Sequence, residues 1–339
     1  MGNIQLGILD QSIVQHGKTA REAVGETIAT AKLGERLGYS RFWISEHHNS
    51  TFIAGSAPEV LMVKLADETR HIRIGSGCIM LPNHSAFKVA ENFRMLETLF
   101  PGRIDLGMGR APGGDRISSS LLNPSNDFSE ERYLTQLGHL QHFFRDTAGT
   151  QHGPILAVPQ AATIPRQWIL SSSGGSSETA ARFGMGLAVA RFINGSVTPA
   201  VVDTYRKHFK PSDQLPEPHA LLSIGVLCGE TEEIARDMRK TLDYVHLQFE
   251  KGNFNDIFPG GDIIRNYQFS PVELERIKHN SGRVISGTKE EVKERLSALA
   301  GDFGVDEIIV TVMTDHSGNR FRSFELLADA FGLKPRNVS

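Results

Sequence analysis

The chain is expected to fold as an α/β protein, a single (β/α)8 barrel over residues 1–339. Three observations point there. Short apolar runs alternate with amphipathic stretches along the sequence, which is the pattern of βαβ units and a parallel sheet. Eight such units follow one another with no evident linker, and at 339 residues that favours a closed barrel, without sheet edges, over an open doubly wound sheet. Neither a fixed-period repeat nor a low-complexity tract points to a solenoid or array.

The first strand is expected over Ile4–Leu9 and its helix over Arg21–Leu37, opened by Thr19-Ala-Arg-Glu22 and stopped by Gly38. In such a capping box each side chain bonds a free backbone N–H of the other residue. Arg41–Ser45 is the second strand, followed by a helix from Ala57 to about Thr69 with Ser56 as cap. Ile72–Met80 leads to the helix Lys88–Leu99, and Ile104–Met108 is closed by Gly109. An irregular stretch, Ala111–Asn126, precedes the helix Glu130–Phe144. The second half pairs Trp168–Ser171 with Ser177–Phe183, and Leu187–Ala190 with a helix near Pro199–His208. Leu221–Cys228 then pairs with Glu232–Leu247, and Glu307–Val312 with Arg322–Phe331. Helices opened by Ser270-Pro-Val-Glu273 and Thr288-Lys-Glu-Glu291 are expected as insertions before the last strand. Lys251–His279 is the longest poorly patterned stretch and reads as an active-site lid or a mobile loop, within an insertion at about residues 248–284.

Composition narrows the function class. Apolar residues make up 40% and charged residues 22%, enough for a sizeable core in a soluble protein. The net charge of −3 comes without any Lys/Arg cluster, so neither nucleic acid nor an anionic membrane is an expected partner. No run approaches the roughly 18 apolar residues of a membrane span. The segment Met1–Asp10 lacks a basic region followed by a long apolar one and reads as a strand, not a signal peptide. Cys78 and Cys228 lie far apart in apolar runs, with no metal-ligand spacing and no disulfide framework, so a reducing cytoplasm is expected.

In a barrel of this kind the chemistry sits at the C-terminal ends of the strands. Ser171-Ser-Ser-Gly-Gly-Ser-Ser177 lies between a strand and a helix, and its glycines, amides and hydroxyls make a phosphate cradle or, more simply, a helix-capping turn. Trp43-Ile-Ser-Glu-His-His48 ends the second strand. Adjacent histidines point to opposite faces, so they form no metal pair, but one can face the mouth as a general base, or both can be structural. Gly107-Met-Gly-Arg-Ala-Pro-Gly113 places Arg110 at the mouth, suited to a phosphate or to a plain salt bridge, and its glycine spacing is wrong for a dinucleotide fingerprint. Ile74-Gly-Ser-Gly-Cys-Ile-Met-Leu-Pro82 carries two glycines that let a flat ligand approach the backbone, or that turn a tight corner.

In this order the four segments resemble the luciferase-like flavin monooxygenases, from the first strand to about Phe331. Glu46-His47-His48 is similar to the family's Glu-His-His, Ile79-Met-Leu-Pro-Asn-His84 to its strand-three exit, and Pro101-Gly-Arg-Ile-Asp-Leu-Gly107 to its strand-four entry. Gly109-Arg110 and the Ser/Gly loop before Ala180-Ala181 also fall in place. The resemblance implies FMN across the barrel mouth, delivered reduced by a separate flavin reductase that uses NAD(P)H, and O2 captured as a C4a-peroxide that attacks a small organic substrate. It implies His47 as the base, Gly77 and Cys78 flanking a non-proline cis bond under the isoalloxazine ring, and Arg110, Ser173, Gly174, Gly175 and Ser176 holding the phosphate. It further implies a lid after Phe249 and a homodimer.

One departure stands out. Luciferase α subunits place a cysteine before the strand-four arginine, where this chain has Gly109, which argues against light emission and a long-chain aldehyde. The rival readings are a deazaflavin (F420)-dependent oxidoreductase on the same scaffold and a flavin-binding protein without turnover. A metal-dependent hydrolase on such a barrel needs His-x-His or a carboxylate cluster at the strand ends, and the sequence shows neither. Substrate choice is left to Ser12–His16, Ala111–Asn126 and the lid, none of which carries a readable code.

Overall fold

The computed structural model describes residues 4–253 and 261–336. Parallel strands β1 (Gln5–Asp10), β2 (Arg41–Ile44), β3 (Arg73–Met80) and β4 (Ile104–Gly109) form one half of a barrel. Helices α1 (Ala20–Leu37), α2 (Pro58–Asp67), α3 (Ala86–Leu99), α4 (Arg116–Leu122) and α5 (Glu130–Phe144) belong to this half. A small hairpin, β5 (Gly149–Thr150) and β6 (Gly153–Pro154), leads into β7 (Arg166–Ser171), α6 (Ser177–Phe183), β8 (Gly186–Ala190), α7 (Ala200–His208), β9 (Ala220–Cys228) and α8 (Glu232–Glu250). After α9 (Gly261–Asn266), α10 (Pro271–Asn280), β10 (Val284–Gly287) and α11 (Lys289–Phe303), the chain ends its fold with β11 (Glu307–Thr311) and α12 (Ser317–Phe331). The ladder runs β9-β11-β1-β2-β3-β4-β7-β8 and closes from β8 back to β9, giving the expected eight-stranded parallel barrel.

Side chains alternate along each strand because successive Cβ atoms point to opposite faces. Leu6, Ile8, Phe42 and Ile44 face outward into the large core under the helices, while Leu9, Trp43, Trp168, Ala188, Leu221 and Ile309 fill the lumen. The two indoles are both fully buried and meet edge to face at 5.5 Å. Glycine makes room for them: a Cβ on Gly186 would lie 2.3 Å from the Trp168 ring, and one on Gly75 2.6 Å from Trp43.

Below the indoles a charged layer plugs the barrel at the N-terminal ends of the strands. Arg41 reaches Asp105 at 2.5 Å and Glu307 at 2.6 Å, Arg73 reaches Asp105 at 2.7 Å, and Trp43 Nε1–H donates to Asp105 at 2.9 Å. Burial alone would raise the Asp105 and Glu307 carboxyls, but the Arg41 guanidinium between them holds both below their ordinary range.

Several elements differ from the sequence reading. Ser56 does not cap α2; Ala57 takes that position without a side-chain bond, and Pro58 stands at the first helical residue, where its missing N–H costs nothing. The stretch 111–126 contains α4, capped by Asp115. The Thr288-capped helix is no insertion: α11 packs against β9, β10 and α12 in the outer layer. α12 begins at Ser317, five residues before the expected Arg322. β10 was not foreseen. β9 outruns β8, whose pairing stops at Ser223, and β10 takes the exposed edge from Gly225 to Cys228. Residues 254–260 of the expected lid, and the terminal residues 1–3 and 337–339, lie outside the described residues.

Candidate active site

The site is built where β2, β3, β4 and β7 end. Past Ile44 the chain presents Ser45, Glu46, His47 and His48, and the Glu46 carboxylate is fully buried. The Met80 N–H donates to its Oε2 at 2.9 Å, and His48 and His84 place Nε2 on Oε1 at 2.7 and 2.8 Å. One carboxylate thus ties the exits of β2 and β3 together. Burial alone would raise this group, but the hydrogen bonds from His48, His84 and the Met80 amide outweigh it and hold Glu46 at about 2. The same carboxylate raises His84 against the opposing effect of burial.

His47 does not share in the Glu46 hydrogen bonds. Its N–H donates to the Gly55 carbonyl at 2.9 Å, and its Nδ1 lies 3.1 Å from Ser45 Oγ. Burial pushes the imidazole down to about 4 despite the nearby Glu46 charge, so it is neutral near pH 7. Among the described residues nothing hydrogen-bonds its Nε2.

On β3 the peptide between Gly77 and Cys78 is cis, at the position implied by the resemblance, and the pairing with β4 shifts register between Ser76 and Ile79. Cys78 is buried, with its sulfur 3.8 Å from Met80 Sδ. A Cβ on Gly109 would stand 2.5 Å from that sulfur. The glycine before Arg110 is therefore a packing requirement: the space for a side chain there already belongs to the neighbouring strand's thiol. Burial, with Glu46 adding to it, pushes that thiol well up, so it is no thiolate nucleophile.

β4 and β7 are adjacent, with Met108 opposite Ile169, so Arg110 and Ser171 leave the barrel side by side. Arg110 is exposed and makes one loose pair, 3.4 Å to Glu130. In the Ser/Gly loop the Gly174 N–H donates to Ser171 Oγ at 3.1 Å, Ser177 Oγ donates to the Gly174 carbonyl at 2.7 Å, and Asn194 donates to the Ser172 carbonyl at 2.9 Å. Gly174 sits at φ +89°, a conformation that favours glycine. The N–H groups of Ser173, Gly175 and Ser176 find no acceptor among the described residues. Ser176 stands at the N-cap of α6 without a capping bond.

Tyr133 of α5 completes this corner. The residue is 3% exposed, yet its hydroxyl has no partner among the described residues. Burial, and then Cys78, raise its pKa, while Arg110 lowers it, so the phenol senses both neighbours. Sequence reading missed Tyr133, because an aromatic on the buried face of a helix looks like core. It also missed Glu46 as a hub, since the partners Met80 and His84 lie more than thirty residues away. Asn194, in the loop after β8, carried no signal at all.

Among proteins of known sequence, the chain is 45% identical to the uncharacterised YwcH of Bacillus subtilis over 330 residues, 97% of this chain and 99% of that one. It is 35% identical over 334 residues to the N-acetyl-S-alkylcysteine monooxygenase of the same organism, covering 96% of this chain and 98% of that one. The crystal structure of apo-MsnO8 superposes with a TM-score of 0.92 at 34% identity, covering 98% of this chain and 100% of that one. A family description of luciferase-like monooxygenases matches residues 4–307, and with relatives of this likeness over nearly the whole length the chain belongs to the luciferase-like monooxygenase family.

Proposed function

We propose that this oxidoreductase binds FMN and uses the reduced flavin with O2 to oxygenate a small organic substrate. The observation that carries the reading is the set of unanswered donors at one corner of the mouth. The amides of Ser173, Gly175 and Ser176 find no acceptor among the described residues, and Arg110 beside this loop has only one loose pair, with Glu130. A phosphate monoester supplies such acceptors, and a helix start beside an arginine suits its charge. On this reading Arg110, Ser173, Gly174, Gly175 and Ser176 hold the phosphate, and the backbone at Gly77 and Cys78 supports the ring.

Bound reduced FMN supplies the electrons that activate O2. The protein's part is positional and protic. His47 is neutral near pH 7, with Nδ1 anchored at Ser45, and accepts a proton from the reacting groups at Nε2. Glu46 acts through structure, fixing His48 and His84 and the turn of β3 so that His47 keeps its aim. Phe249, edge-on to Phe52 at 6.2 Å, begins the segment at about residues 248–284 that we assign as the cover over the mouth within this single domain. A separate flavin reductase using NAD(P)H is the transient partner in this proposal, and a homodimer the expected assembly. The named activity of the 35%-identical relative makes thioethers the first substrate class to try.

The deciding experiment supplies FMN, a flavin reductase, nicotinamide, isotopically labelled O2 and a panel of thioethers, aldehydes and sulfonates. The expected result is a product heavier by one labelled oxygen. His47→Ala is expected to slow it by about 10²- to 10⁴-fold while FMN affinity is kept. If no substrate gains labelled oxygen and FMN does not bind, the reading fails.

A further inference from the structure

A second cavity lies at the opposite end of the barrel from the site above. It holds about 610 Å³ and opens where β1, β7, β9 and β11 begin, between α7 and α11. That volume falls in the range of small-molecule pockets. Its apolar wall comes from Ile4, Leu215, Pro216, Pro218, Ala300 and Val305. Its polar lining includes Arg166, Arg206, His219 and Ser297, with Glu217 and Asp306, both exposed, at the rim.

Arg166 is the unusual member. The floor above the cavity holds three arginines, Arg41, Arg73 and Arg166, against two carboxylates, Asp105 and Glu307. Arg41 and Arg73 take up both carboxylates, and Arg166 has no carboxylate within ion-pair distance among the described residues. Its Nη2 donates to His219 Nδ1 at 2.6 Å, while His219 Nε2 lies 3.0 Å from Glu307. That chain places the imidazole proton on Nε2 and leaves the arginine charge unanswered. The guanidinium lies over the Trp168 ring at 5.3 Å. The Arg166 guanidinium is partly exposed at the cavity wall and no carboxylate pairs with it among the described residues, so an anion in the cavity can answer its charge. Arg206, which donates to the Gly304 carbonyl, adds a second cation at the entrance.

We propose that this cavity is a binding site for a small organic monocarboxylate with a compact apolar body. One uncompensated positive charge on the floor matches one negative charge on the ligand, and the rim carboxylates Glu217 and Asp306 repel a dianion such as phosphate. The apolar wall accounts for the body. Binding here is independent of the flavin reading, since the barrel's full depth of packed indoles separates the two ends.

The test uses cyclohexanecarboxylate, which is transparent where tryptophan absorbs, and its uncharged amide as control. Because Arg166 lies over Trp168, occupancy is read from intrinsic fluorescence. A saturable change with the carboxylate, at least about tenfold weaker with the amide, is the expected result. Arg206→Ala, at an exposed position, is expected to weaken binding by up to about tenfold without moving the unfolding midpoint. Arg166→Gln is expected to abolish it. Equal responses to acid and amide, no saturable response, an unchanged affinity in Arg206→Ala, or displacement of the carboxylate by FMN would overturn the assignment. FMN binding at the mouth, measured separately, stands or falls on its own.

Discussion

At the scale of single residues, the mouth is organised by what each side chain prevents as much as by what it offers. Gly109 is held small by Cys78, whose sulfur would meet any Cβ at 2.5 Å. Gly109→Ala is therefore expected to lower stability by about 1–3 kcal/mol, the usual range for overpacking a filled core. Cys78→Ala in the same chain should return part of that loss. Denaturant melts of the two single variants and the double variant check it; strict additivity would remove the proposed collision. Arg110 offers a different case. It is half exposed and weakly paired, so Arg110→Ala should leave stability nearly unchanged yet weaken FMN binding by about 1.5–3 kcal/mol, as read by flavin titration. Unaltered FMN affinity would take Arg110 out of the phosphate corner. The residues legible in the sequence were those on short, local motifs: His47, Arg110 and the Ser/Gly loop each follow directly on a strand. Glu46 and Tyr133 were not legible in their roles, because these depend on partners brought close only by the closed barrel.

At the scale of elements, local chemistry read well wherever one segment contained its own signal. The boxes at Thr19/Glu22, Ser270/Glu273 and Thr288/Glu291 all form as reciprocal pairs. Thr19→Ala is expected to cost about 1 kcal/mol, the ordinary worth of an N-cap, with the loss carried by α1 and detectable as faster amide exchange in its first turn. Uniform exchange along α1 would contradict this. Reading failed where an element owes its existence to a distant edge. Val284-Ile-Ser-Gly287 is a four-residue run between two helices, too short to announce a strand, and it becomes one because β9 extends beyond β8. α2 was misjudged for a related reason: Ser56 looked like a cap, but Pro58 one residue into the helix set where it begins.

At the scale of the whole molecule, buried titratable groups set the response to acid. His47 and His246 are both pushed down to about 4 by burial, with Arg283 and Arg239 adding to the effect at His246. Each is neutral in the folded chain and ordinary in the unfolded one. The stability they contribute is complete above about pH 6.5 and is lost as pH falls towards 4. His84 works in the opposite sense, since Glu46 raises it, but one modest shift does not offset two large ones. Glu46, held at about 2, adds a second loss below about pH 4.5. Calorimetric midpoints are expected to fall from pH 7 to pH 4 and to fall further below that. His47→Gln should flatten the first stage, and a midpoint that climbs over this interval would contradict the assignment. The barrel itself was legible from end to end, because an eightfold alternation of strand and helix is a property of the whole chain that no local error erases.

The two tryptophans of the chain stand edge to face in the barrel lumen, between the plugged end and the mouth. Trp43 touches the floor of the mouth, since a Cβ on Gly77 would meet it at 3.1 Å, and Trp168 lies under Arg166 at the other end. All indole emission from this protein thus arises at one shielded point, with no surface indole to blur it. A yellow chromophore resting above that point would take up the excitation and dim the protein in proportion to its occupancy, so the molecule carries its own light meter for whatever settles in either opening.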